Sequence, residues 1–74
     1  MALEVIGRRG NLRLVKDDER RFPGLLVQGD TLSTLLDDLE EELPDGFATR
    51  TVRDWLVAYE EMMVAAKVNL PYER

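Results

Sequence analysis

The sequence predicts an α+β fold: a three-stranded antiparallel meander followed by two helices packed on one face, in the order β-β-β-α-α. Two observations carry this. In the first third of the chain, short apolar runs alternate with polar residues and are broken by Gly-, Pro- and Asp-rich turns, as strands require. Beyond residue 30 the apolar residues recur at three- and four-residue spacing, the repeat of an amphipathic helix.

Residues 2–6 read as the first strand, with Leu3 and Val5 alternating with Glu4. Gly7-Arg8-Arg9-Gly10-Asn11 reads as a turn, and residues 12–16 as a second strand with Leu12 and Leu14 on one face and Arg13 on the other. After the charged loop Asp17-Asp18-Glu19-Arg20-Arg21, Pro23 fixes φ and lacks a ladder donor, so the third strand is placed at residues 24–28. Gly29-Asp30-Thr31 then turns the chain into a helix, with Asp30 the expected N-cap. Leu32, Leu35, Leu36, Leu39 and Leu43 form its apolar stripe, and Pro44-Asp45-Gly46 ends it. Thr49 or Thr51 is expected to cap the second helix, Thr51 with Asp54 approximating a capping box. Its stripe is Val52, Trp55, Leu56, Tyr59, Met62, Met63 and Ala66, and Asn69 and Pro71 mark its end. Leu70 and Tyr72 are expected to fold back onto the core.

Length and composition bound the function. The 74 residues suit one domain, 1–74. So short a chain buries only about 60% of the surface its unfolded form exposes, and small domains often need a disulfide, a metal or a partner subunit. There is no cysteine and no histidine, so disulfides and the usual zinc and transition-metal ligand sets are excluded, and no cofactor is expected. Elimination therefore favours a protein partner or self-association, with a homo-oligomer expected. No secretory signal pattern and no apolar run near the roughly 20 residues of a membrane span is visible, which points to a cytoplasmic protein with no membrane role.

The net charge of −5 is unevenly spread. Residues 1–29 carry six Lys/Arg against four acids; residues 30–74 carry four against eleven. A basic front and an acidic back can steer a partner or favour contact between copies, although acids on a helix surface also serve simply as a solvated face.

The residue inventory does not point to an enzyme. Ser33 and the threonines have no histidine to activate them, and the carboxylates cluster on a solvated helix face. Asp17 and Asp18 are separated from Asp30 by the third strand, too far for one metal site at about 3.3 Å per residue. Arg8, Arg9, Arg13, Arg20 and Arg21 could meet phosphates, yet no aromatic residues interleave with them and the net charge is negative, so nucleic acid is not the expected partner. The residues singled out for partner binding are Arg20, Arg21 and Gln28 as a rim beside the third strand, Glu40, Glu41 and Glu42 on the acidic helix face, and Trp55. Trp55, Tyr59, Met62 and Met63 share a helical stripe that suits a core better than a pocket, but the apolar surface is large for three short strands to cover, and part of it is left for a partner.

The run Arg21-Phe22-Pro23-Gly24-Leu25-Leu26-Val27-Gln28-Gly29-Asp30-Thr31-Leu32, with the closing Leu70-Pro71-Tyr72, resembles a signature of small uncharacterised bacterial proteins, a family from which no activity carries over. Phe22-Pro23 and Gly29-Asp30-Thr31-Leu32 are also similar, more loosely, to HicB-type antitoxins, where such elements flank a strand leading into a helix. That resemblance implies a β-β-β-α beginning and a protein that neutralises a small basic ribonuclease by direct binding. It departs where Ser33-Thr34-Leu35 follow the turn, where a long helix replaces a further strand, and in lacking a separate DNA-binding segment. The expectation is a non-catalytic protein-binding module, antitoxin- or immunity-like, that occludes its partner. The alternative is a self-associating homodimeric domain.

Overall fold

The computed structural model describes residues 2–73. Its elements are β1 (Leu3–Arg9), β2 (Leu12–Asp17), β3 (Gly24–Leu26), α1 (Gly29–Glu42) and α2 (Phe47–Ala65). The strands form one antiparallel sheet in the order β1-β2-β3. The β-β-β-α-α order and the meander are those expected.

Several boundaries differ, each for a local reason. β1 runs on through Gly7 to Arg9 because the ladder shifts register between Val5 and Gly7, leaving Ile6 as the extra residue of a bulge. Gly7 suits this place: a Cβ there would lie 3.3 Å from Leu14 Cβ. The turn shrinks to Gly10-Asn11, with Gly10 at φ +57°. β3 stops at Leu26, two residues early, because Val27 and Gln28 serve as the extended lead into α1. Asp30 is not the N-cap. Gln28 holds that position with φ −67° and ψ 150°, without a side-chain hydrogen bond, and Asp30 lies inside the first turn, its carboxylate accepting from the Thr31 N–H at 2.8 Å. An acid there still favours the positive end of the helix dipole.

Neither threonine caps α2, which starts after Gly46. Thr51 instead donates back to the Phe47 carbonyl at 3.0 Å, so no capping box forms with Asp54. Thr49 is fully buried, and its hydroxyl donates to the Leu43 carbonyl at 2.5 Å, satisfying the C-terminal end of α1. The helix ends at Ala65, before the expected Asn69 and Pro71. Lys67 takes φ 60°, its N–H bonds the Val64 carbonyl and the Val68 N–H bonds the Met63 carbonyl, each at 3.0 Å. That is a Schellman termination with lysine where glycine is usual.

The two helices pack on each other around Leu36, Val52 and Leu56, with Leu32, Leu39, Tyr59 and Tyr72 against them. The tail folds back as expected: Tyr72 stacks on Tyr59 with ring centroids 6.5 Å apart and donates to Glu60 at 2.9 Å.

The packing between layers is where the structure differs most from the sequence reading. Among the described residues no strand lies along either helix; the sheet contacts itself and the helices contact each other. Leu3, Leu12, Leu14, Leu25 and Leu26 all stay exposed. Residues 27–28 carry the chain from one part to the other, so the sheet stands beside the helices and does not lie beneath them. The radius of gyration, 13.9 Å, reflects this. A compact domain of this length would have about 11 Å.

Candidate protein-binding surface

Three regions gather side chains that could receive a partner. The first is a groove beside the 17–24 loop, about 530 Å³, lined by Leu3, Val15 and Asp17 on one side and Arg20, Arg21, Phe22, Pro23 and Gly24 on the other. Its loop is shaped locally. The Asp17 carboxylate accepts from the Glu19 N–H at 2.9 Å, the Arg20 N–H reaches the Asp17 carbonyl at 3.0 Å, and Lys16 Nζ donates to the Asp17 and Arg20 carbonyls. Phe22 is 72% exposed, and the Arg21 guanidinium lies 5.3 Å from its ring centroid. Arg20 and Arg21 therefore do line a groove, with an aromatic neighbour.

Gln28 does not share that rim. It lines a second groove at the junction of the two parts, with Leu26, Val27, Gly29, Asp30, Tyr59 and Pro71. All three bracket one strand in the sequence, but Arg20 and Arg21 precede β3 and Gln28 follows it, so the length of the strand separates them.

The third region is the apolar surface left by the open packing. On the sheet, Leu14 and Leu25 are register partners and Leu12 lies two residues from Leu14, so the three share a face. With Gly7, Arg8 and Arg9 they line a groove of about 340 Å³. On the helices, Trp55 is 59% and Met62 65% exposed. Seven residues apart, they share one flank of α2, which corrects their placement in a core stripe. The core of α2 is the neighbouring line Val52-Leu56-Tyr59. Arg53 and Glu40, paired at 3.2 Å, mark the opposite flank of the hairpin, and Leu35 lies on the Trp55 side.

Of the three expected acids on α1, Glu40 is engaged by Arg53, while Glu41 and Glu42 are exposed. Asp17, Asp18 and Glu19 bring their carboxylates within 4.8 Å of one another, a grouping made within one turn and without Asp30. It sits in a largely exposed turn whose Asp17 oxygen already accepts a backbone N–H. No helix among the described residues is long and apolar enough to cross a membrane.

A three-stranded meander, a helical hairpin and an uncovered apolar surface on each define a small α+β chain of a particular kind. The chain belongs to a family of unknown function (DUF6959), whose model matches residues 1–72. No curated protein and no solved structure matches it.

Proposed function

We propose that the chain is a non-catalytic protein-binding module that engages its partner through the uncovered apolar surfaces of the sheet and the helical hairpin. One observation carries the reading. Large apolar side chains on both parts, among them Leu14, Leu25, Trp55 and Met62, stay exposed although a sheet and a pair of helices ordinarily bury them against each other. Contiguous apolar surface of this kind marks interaction sites. A partner would gain affinity from Trp55 and the leucines, and the acids of α1 would speed encounter with a basic protein. Occlusion of such a basic protein, as an antitoxin or immunity protein does, is the more specific form of the reading.

The test is capture from the native host with tagged protein, followed by mass spectrometry, comparing wild type with Leu25→Glu, Trp55→Glu and, as control, Glu61→Gln on the exposed outer face of α2. A partner held by wild type and the control, but lost with either apolar variant, supports the reading. Equal capture by all four, or capture of nothing including a second copy, contradicts it.

A further inference from the structure

The two uncovered surfaces complement each other, and this points to what covers them. The sheet groove of Leu12, Leu14 and Leu25 is edged by Arg8 and Arg9. The hairpin flank of Leu35, Trp55 and Met62 carries acids. Asp38 and Glu42 follow Leu35 by three and seven residues, on or beside the same face of α1. We propose that a second copy of this chain is the occupant: the sheet of one copy lies on the Leu35–Trp55–Met62 flank of the other, and the reverse, in a two-fold dimer. The proposal rests on the binding-module reading and names its partner.

Geometry favours a second copy over closure of the chain on itself. Only Val27 and Gln28 join β3 to α1. Gln28 is extended, and directly after it Gly29 is buried beneath the Tyr59 ring, which anchors the start of α1 on α2. As the chain stands its sheet lies along neither of its own helices, and a second copy covers both surfaces without any change in the link. An exchange of this kind, with each copy completing the other's layers, is an inexpensive route to a closed dimer.

The area agrees. The chain exposes 6116 Å² at a mass of 8.5 kDa. A compact monomer of that mass exposes about 4,650 Å², so the excess is roughly 1,500 Å² per chain and about 3,000 Å² per pair, within the range buried by obligate homodimers. The charge agrees too: the six basic against four acidic residues of 1–29 would meet the four against eleven of 30–74.

Sedimentation equilibrium of wild type, Leu25→Glu, Trp55→Glu and an equimolar mixture of the two variants tests this, with circular dichroism confirming that each variant keeps its helices; Trp55→Ala substitutes if Trp55→Glu does not. Wild type should be a dimer. Each variant alone should dissociate at least tenfold more readily, since both of its interfaces are damaged. The mixture should recover dimer, because one undamaged sheet meets one undamaged hairpin in the mixed pair. Sheet-to-sheet pairing would leave Trp55→Glu alone dimeric and helix-to-helix pairing would leave Leu25→Glu alone dimeric, with no gain on mixing; either result overturns the exchanged arrangement. A wild-type monomer at every concentration overturns the second copy. Such a monomer that still binds an apolar dye leaves the binding-module reading standing; one that binds none removes both.

Discussion

The ring of Tyr59 lies against the backbone of Gly29: a Cβ built at residue 29 would stand 2.2 Å from Tyr59 Cζ. The contact joins the first turn of α1 to the middle of α2 and continues through the stack of Tyr59 on Tyr72. Gly29→Ala should therefore push the ring out and cost about 1–3 kcal/mol, the usual penalty for overpacking. In a Tyr59→Ala background the same change should cost almost nothing, and a double-mutant cycle by urea denaturation measures the difference.

Thr49 performs at the base of the hairpin what a cap performs at a helix end. Its hydroxyl is buried and donates to the Leu43 carbonyl at the close of α1. Thr49→Val keeps the shape and removes the donor, so the Leu43 carbonyl keeps only the Gly46 N–H, at 3.0 Å. The expected loss is about 0.5–1.5 kcal/mol, read as a lower denaturation midpoint with unchanged slope, while Thr49→Ser should retain most of the stability.

Lys67 holds a left-handed conformation, φ 60°, that costs a residue with a Cβ about 1 kcal/mol. Lys67→Gly should raise stability by about that amount, and Lys67→Val should lower it. Thermal unfolding of the two variants beside wild type decides the sign.

Trp55 and Leu56 are adjacent but face different surroundings, one 59% exposed and the other 2%. Leu56→Ala should destabilise by about 2–5 kcal/mol through a cavity in the hairpin core. Trp55→Ala should change the stability of the single chain by no more than about 0.5 kcal/mol while weakening association. A large, concentration-independent loss of stability on removing Trp55 would place it in a core after all.

The element order was legible because its signals are local. Alternation at Leu3-Glu4-Val5 and Leu12-Arg13-Leu14, the break at Pro23 and the leucine spacing from Leu32 to Leu43 each depend on neighbours in sequence. Caps were less legible. Asp30, Thr49 and Thr51 are all good capping residues, but the choice among their hydrogen bonds depends on where the preceding chain runs, and for Thr49 on the end of another helix. The placement of sheet relative to helices was not legible. Apolar periodicity says that Leu14, Leu25 and Trp55 each want cover, without saying whether the cover comes from the same chain. The same limit explains the candidate sites: Arg20, Arg21 and Gln28 looked like one rim because they flank one strand, and the structure puts them in two grooves. The exposed Trp55 was marked by its chemistry, since tryptophan is enriched where binding energy concentrates.

Small-angle X-ray scattering from the single-chain species, isolated at the dilute end of a size-exclusion series, tests most directly whether sheet and helices stand apart. The open arrangement predicts a radius of gyration near 13.9 Å. A value of about 11 Å, that of a compact chain of this length with the sheet closed over its own helices, would contradict it.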